Sequence, residues 1–126
     1  MRYLIDTTLL IDHAKARPGV DAVVEFLFAE PNELLICDVI VAEALSGGDA
    51  KQLASVRALI AALEYVSTHP DAAIHAGETR HRLGRTSTRG LRDAVIAGVA
   101  WHSDAIVVTR NPQDFEVQGV RVLSYG

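Results

Sequence analysis

The chain opens with RYLIDTTLL (residues 2–10), in which a short apolar strand ends at an acidic residue and leads into a helix. The same alternation of strands and helices continues to the end of the chain. It predicts strands over residues 2–5, 34–37, 64–67, 105–109 and 120–123, and helices over 9–16, 20–29, 38–45, 51–63, 71–83 and 90–102. Strands separated by helices favour parallel pairing with right-handed crossovers. We therefore predict an α/β protein, a three-layer α/β/α sandwich with a central, mostly parallel sheet.

The length and composition are those of one globular domain. The chain has 126 residues, of which 49% are hydrophobic and 22% are charged, and no repeat or linker divides it. It has one cysteine and no apolar run long enough to cross a bilayer. The charged residue Asp6 comes before the apolar stretch of a signal peptide could form. We therefore expect a single domain over residues 1–126 in a soluble, unprocessed, cytoplasmic protein.

The charge is unevenly distributed along the chain. The formal net charge of −4 alone argues against a nucleic-acid partner, because proteins that bind phosphates are usually basic. Five of the 12 basic residues, however, follow one another with no acidic residue between them: Arg80, Arg82, Arg85, Arg89 and Arg92. This arginine run either contacts RNA phosphates, faces a protein partner, or forms a solvated helix face.

Three acidic residues occupy positions that favour a shared site. Asp6 directly follows a strand, and Asp93 opens an apolar helix. Glu43 lies in VIVAEAL (residues 39–45), where every neighbour is apolar, so we expect its carboxylate to be buried and therefore paired or bound to a cation. Each residue alone also fits an ordinary role: a strand end or cap for Asp6, a surface acid for Glu43, and a partner of the helix dipole for Asp93.

Two further oxygen-bearing side chains, Asn111 and Asp114, follow the strand at 105–109, although NPQD (residues 111–114) is also a good turn sequence. In parallel sheets, ligands bind beyond the carboxyl ends of the strands, where all these positions converge. Clustered carboxylates repel one another unless a cation neutralises them, and oxygen ligands suit Mg²⁺ or Mn²⁺. A water activated there can attack phosphorus.

Four short motifs occur in order along the whole chain: LIDTT (4–8), VAEAL (41–45), LRDAVIA (91–97) and VTRNPQDF (108–115). With these motifs the chain resembles the VapC-type toxins of the PIN-domain family. The resemblance implies a PIN-like fold and a Mg²⁺- or Mn²⁺-dependent endoribonuclease that cleaves RNA by metal-assisted attack of water. It further implies the toxin of a type II toxin–antitoxin pair, with a VapB-like antitoxin that carries an Arg or Lys as partner, and a homodimer.

The resemblance also implies roles for individual residues. Asp6 and Asp93 would bind the metal, Glu43 would complete the acidic set, and Asn111 or Asp114 would complete the catalytic site. Asn111 aligns where an acid is expected, which leaves the binding of a second metal open. Thr8 and Thr109 would hydrogen-bond a carboxylate or a metal-bound water, although turn and cap roles fit them equally well. Independently of the resemblance, the positive charges of Arg85, Arg89 and Arg110 are predicted to contact RNA phosphates.

Two other enzyme or signalling classes fit the sequence less well. A phosphatase with an aspartyl nucleophile commonly has a second Asp two residues after the first, where this chain has Thr8. A receiver domain needs a lysine after its last strand, and no lysine follows Lys51. A degraded PIN module that binds RNA or a partner without cleavage is the non-enzymatic alternative, and Asn111 is its best support. The five histidines show no metal-binding spacing, and we assign them no role.

Overall fold

The computed structural model describes residues 1–29, 31–84 and 90–126. This part of the chain contains five strands: β1 (Arg2–Ile5), β2 (Glu33–Cys37), β3 (Glu64–Val66), β4 (Ile106–Thr109) and β5 (Val122–Ser124). It also contains seven helices: α1 (Thr7–Ala14), α2 (Val20–Phe28), α3 (Asp38–Ala44), α4 (Ala50–Ala61), α5 (Pro70–Leu83), α6 (Leu91–Ser103) and α7 (Gln113–Glu116). Except for α7, every element was predicted, with ends that differ by at most two residues.

The described strands form one sheet in the order β3-β2-β1-β4-β5, and every pairing is parallel. Right-handed crossovers place α1 to α4 on one face and α5 to α7 on the other. Consistent with this, α1 packs against α4, and α5 packs against α6. The predicted three-layer α/β/α class is confirmed. After β1, the chain adds β2 and β3 on one side of this strand and then β4 and β5 on the other. The direction of strand addition therefore reverses between β1 and β4, and their carboxyl ends flank the crevice where such folds bind ligands.

The core lies on both faces of the central strands. Leu4, Ile36, Val107 and Val108 have no exposed surface, because helices cover the sheet on both sides. This arrangement explains why these strands are continuously apolar and do not alternate with polar residues. Ile5 and Leu9, on either side of Asp6 in the sequence, are also buried. The backbone that carries Asp6 is therefore anchored in the core.

Helices α5 and α6 pack closely against each other at Gly98. A Cβ atom at this position would overlap the carbonyl oxygen of Ala72 in α5 and would lie 3.2 Å from its carbonyl carbon. The missing side chain of Gly98 therefore makes room for the backbone of the neighbouring helix.

Cys37 is the N-cap residue of α3, and Asp38 is the first residue of the helix. The carboxylate of Asp38 accepts hydrogen bonds from the amide of Val39 at 3.0 Å and from the hydroxyl and the amide of Thr68 at 2.7 and 3.2 Å. These contacts tie the start of α3 to the segment after β3. The predicted turn at 111–112 leads into α7, which buries Phe115. In the ranges described, no helix has the length and apolar character needed to span a membrane.

Candidate active site

A cleft of about 370 Å³ lies at the carboxyl ends of β1 and β4. Its walls include five residues predicted to be catalytic, Asp6, Glu43, Asp93, Asn111 and Asp114, together with Thr8 and Arg110. Thr7, Ile11, Asp12 and Arg92 also line it. The cleft therefore collects side chains from α1, α3, α6 and the segment after β4.

Asp6 lies at the centre of this cleft, with only 1% of its surface exposed. Its backbone amide continues the β1–β4 pairing by donating to the carbonyl of Val108. The Oδ2 atom accepts from the hydroxyl of Thr109 at 2.8 Å and from that of Thr8 at 3.4 Å. These contacts hold the carboxylate in one orientation, because two hydroxyl groups fix the same oxygen.

The guanidinium of Arg92 joins the three predicted acids. It lies 2.8 Å from Oδ1 of Asp6 and 2.5 Å from Oε2 of Glu43, and it also pairs with Oδ1 of Asp93. It donates to the hydroxyl of Thr7 at 3.1 Å as well. The three carboxylates thus converge on one cationic group.

Sequence reasoning counted Arg92 only as a member of the arginine run. The signal that could have identified it is its position beside Asp93, at the start of a buried helix. The largely buried carboxylates of Asp6 and Asp93 require a compensating positive charge. Arg92, which directly precedes Asp93, can supply it.

Burial and neighbouring charges shift the acid–base balance of this cluster. Burial raises the pKa of Asp93, the Arg92 guanidinium opposes this effect, and the charges of Asp114 and Asp6 add to it. Burial alone would lower the pKa of Arg92, but Asp6 and Glu43 outweigh that effect and raise it. Three carboxylates and one guanidinium leave two uncompensated negative charges when all are ionised. Such a cluster attracts a divalent cation.

Glu43 contributes from the rim of the cleft and is not buried. Its side chain is 40% exposed, whereas Ile40 and Ala44 are the residues by which α3 contacts the core. The expectation of a buried Glu43 was wrong because apolar neighbours such as Ala42 are themselves exposed on this short helix. The position of Glu43 beside the other acids does not depend on that burial.

The segment after β4 places both Asn111 and Asp114 at the cleft. The amide of Asn111 donates to the Thr109 hydroxyl at 3.0 Å, and the amide of Asp114 donates to the carbonyl of Asn111 at 3.2 Å. Thr109 therefore links Asp6 to the start of this turn. The geometry brings both residues to the cleft and leaves the choice between them open.

Sequence reasoning missed a second buried acid, Asp12, at the other end of the cleft. Asp12 is 5% exposed and accepts a hydrogen bond from the hydroxyl of Tyr125 at 2.9 Å. Arg17 and Arg110 each lie 3.6 Å from the same carboxylate. Burial raises the pKa of Tyr125, and Asp12 adds to this effect, so the hydroxyl remains a donor. An acid within the apolar stretch LLIDHA was a signal that pointed to Asp12.

The residues predicted to contact RNA are only partly described. Arg110 lines the cleft, and its side chain is 38% exposed. Arg85 and Arg89 lie outside the described residues. The expectation for these two arginines stays a prediction.

The sequence has relatives among characterised proteins. The family model of the PIN domain matches residues 3–119. The tRNA(fMet)-specific endonuclease VapC of Salmonella typhimurium is 30% identical over 97% of this chain and 96% of its own length. Ribonuclease VapC19 of Mycobacterium tuberculosis is 30% identical over 89% of this chain and 90% of its own.

Solved structures resemble the fold along its whole length. The DNA-bound VapBC structure from Salmonella typhimurium contains a chain with a TM-score of 0.81 and 28% identity, with 98% of both chains covered. A chain of VapBC2 from Rickettsia felis, bound to a DNA fragment from its promoter, has a TM-score of 0.86 and covers 100% of both chains. At 22% identity, this second likeness concerns the fold alone.

Proposed function

This chain belongs to the PIN-domain family, and from that premise we propose that it is a metal-dependent endoribonuclease, the toxin of a type II toxin–antitoxin pair. The observation that carries the proposal is the convergence of Asp6, Glu43 and Asp93, from three separate elements, on one cationic group. We further propose that residues 1–126 form a single PIN domain that acts on RNA in the cytoplasm.

The acidic cluster fits a divalent metal ion. A guanidinium already lies between the three carboxylates, so their oxygen atoms are arranged around a position that suits positive charge. Asp6 and Asp93 would bind Mg²⁺ or Mn²⁺, and Glu43 would complete the set, with Asn111 or Asp114 beside them. When bound, such an ion neutralises charge on the phosphodiester and makes a water molecule more acidic.

The surrounding residues orient these groups. The hydroxyl groups of Thr109 and Thr8 hold Asp6, so that one oxygen stays fixed while the other faces the cleft. Arg92 must leave the carboxylates when a metal ion replaces it. Its side chain is 31% exposed, so it can turn toward the cleft mouth, where its planar donors suit a phosphate of the bound strand.

RNA is the substrate that this site and its relatives support. Arg110 lines the cleft and offers a phosphate contact, and Arg85 and Arg89 are proposed to extend that contact. One relative is named for cleavage of tRNA(fMet) and another as a ribonuclease. We propose structured RNA as the substrate class, with initiator tRNA as the first molecule to test.

The proposed partner is a VapB-like antitoxin. The structural relative from Salmonella typhimurium is a chain of a VapBC assembly. In this chain, the position between the three carboxylates accepts a guanidinium, so an Arg or Lys of a partner chain can compete with Arg92 for it. We also propose a homodimer of the toxin.

The decisive experiment is RNA cleavage by the purified protein in Mg²⁺, in Mn²⁺ and in chelator, beside the Asp93→Asn variant. We expect cleavage only with a divalent metal and only in the wild type. Sequencing of RNA 5′ ends after brief induction in cells would then identify the RNA that is cut. Binding of RNA without cleavage under all conditions would favour the degraded PIN module. The presence of Asn111 where an acid is expected is the residue-level support for that alternative.

A further inference from the structure

Two histidines and an aspartate meet on the surface of α5 and α6. One possible ligand atom from each of His69, Asp71 and His102 lies within 4.8 Å of the other two. The histidines are far apart in the sequence, which is why their spacing predicted no role. Along α6, His102 lies nine residues after Asp93, about 13 Å along the helix axis, so this cluster is separate from the acidic cleft.

The local geometry brings these side chains close to the arrangement of a metal site. His69 is the N-cap residue of α5, Asp71 lies in the first turn of that helix, and His102 lies near the end of α6. Nδ1 of His69 is 3.7 Å from Oδ2 of Asp71. Ligand atoms that bind one tetrahedral ion at about 2.0–2.1 Å lie about 3.4 Å apart, so this pair needs only a small closure. The three ligand atoms together, which lie within 4.8 Å of one another, must close by up to about 1.4 Å.

We propose that His69, Asp71 and His102 form a surface site for a transition-metal ion such as Zn²⁺, with water completing the coordination. Two imidazoles and one carboxylate are a ligand set that suits Zn²⁺ and not Mg²⁺, whereas the catalytic cleft offers oxygen ligands alone. The two sites therefore select different metals.

Two existing contacts must change when the ion binds. The rings of His69 and His102 are stacked at 4.3 Å and 13°, and they must rotate so that a nitrogen lone pair of each faces the ion. Nδ1 of His69 also accepts from the amide of Asp71 at 3.0 Å. Because this helix start is exposed, water can replace the ring as partner of the amide. The bound ion would then connect the start of α5 to the end of α6.

Calorimetric titration of the untagged protein with Zn²⁺ tests the proposal, in excess Mg²⁺ so that the acidic cleft is occupied. We expect one Zn²⁺ per chain with micromolar affinity, and a rise in melting temperature that Mg²⁺ alone does not produce. His102→Ala and Asp71→Asn should each weaken Zn²⁺ binding by at least about tenfold. Asp93→Asn should leave Zn²⁺ binding unchanged.

His75→Ala is the matched control. His75 also lies on α5 and also stacks on a residue of α6, Trp101 at 4.0 Å, but it is not part of the ligand set. The His75→Ala variant should bind Zn²⁺ with an affinity within about twofold of that of the wild type. Equal affinity in the wild type and both ligand variants would overturn the proposal, as would an equal loss in His75→Ala. A stoichiometry of one Zn²⁺ per two chains would instead mean that the ion bridges two copies, which also contradicts a site within one chain.

Discussion

The guanidinium of Arg92 donates to Oδ1 of Asp6 over 2.8 Å, although the two residues are 86 positions apart. Arg92 also contacts Glu43 and Asp93 from the same place. The protein thus carries its own cation at the position that a divalent metal would need. Under the proposed function, an incoming metal ion would therefore exchange with the arginine and would not fill an undisturbed pocket.

Replacement of a predicted metal ligand should abolish cleavage without unfolding the protein. Asp6→Asn and Asp93→Asn each remove a charge from the cluster and keep the shape of the side chain. Because metal and water positioning contribute several kcal/mol to the barrier, we expect a loss of RNA cleavage of at least about a hundredfold. Circular dichroism should show an unchanged fold. If both variants retain activity, these acids are not the catalytic ligands.

Arg110 should contribute a phosphate contact that can be measured through salt. In the cleavage-deficient Asp93→Asn background, Arg110→Gln should weaken RNA binding and reduce the slope of log K against log salt by about one, since each phosphate contact releases counterions. Arg121→Gln is the control, because Arg121 is exposed and pairs with Asp104 before β4, away from the cleft. An unchanged slope for Arg110→Gln would assign Arg110 to the Asp12 ion pair alone.

The packing of α5 on α6 predicts opposite effects for two Gly→Ala changes. Gly98→Ala forces Cβ against the Ala72 carbonyl group and should cost about 1–3 kcal/mol, a fall in melting temperature of several degrees. Gly77, in the exposed part of α5, has open space where a Cβ atom would lie, with no atom within 4 Å, so Gly77→Ala should stabilise the helix by up to about 1 kcal/mol. A neutral Gly98→Ala would show that the two helices move apart easily.

The contact between Asp38 and Thr68 should appear in the pH dependence of stability. Burial opposes ionisation of Asp38, but hydrogen bonds from Thr68 and from backbone amides at the start of α3 outweigh it and lower the pKa of the carboxyl group below its ordinary value of 3.8. A carboxyl group with a lowered pKa in the folded state stabilises the protein above its unfolded pKa, and this contribution is lost as pH falls through the folded pKa. Thr68→Val should therefore cost about 1–2 kcal/mol at pH 7 and progressively less below pH 3.8.

Urea denaturation at several pH values measures this difference. Ser67→Ala, at the exposed neighbouring position, is the control and should stay within about 0.5 kcal/mol of the wild type throughout. A cost for Thr68→Val that does not change with pH would mean that the hydroxyl acts through packing and not through the charge of Asp38.

The sequence predicted the architecture well because hydrophobic periodicity reports directly on burial. It also placed Asp6, Glu43 and Asp93 at one edge, since parallel strands bring their carboxyl ends together. It could not predict contacts that depend on side-chain direction across distant elements. Arg92 and Asp12 were missed for this reason, and so was the meeting of His69 with His102. The exposure of Glu43 was misjudged because apolar neighbours on a short helix do not guarantee burial.

The proposed exchange between Arg92 and the metal can be tested by removing the arginine. In chelator, Arg92→Gln should lower the melting temperature, because Asp6, Glu43 and Asp93 then repel one another without a cation between them. Adding Asp93→Asn to this variant should recover part of the loss, since one of the three charges is removed. Arg57→Gln, at an exposed position on α4 outside the cleft, should leave the melting temperature unchanged.

The same variant should bind Mn²⁺ more tightly, because the ion no longer has to displace a guanidinium that pairs with all three acids. We expect an affinity gain of at least about tenfold, or ~1.4 kcal/mol, by calorimetry. Metal at a hundred times its dissociation constant contributes about 2.7 kcal/mol to stability, so Mn²⁺ should raise the melting temperature of Arg92→Gln by several degrees. At a fixed, limiting Mn²⁺ concentration this rise should exceed that of the wild type. If Arg92→Gln instead matches the wild type in both chelator and Mn²⁺, Arg92 does not hold the metal position in solution. If it binds Mn²⁺ more weakly, Arg92 supports the bound ion and does not compete with it.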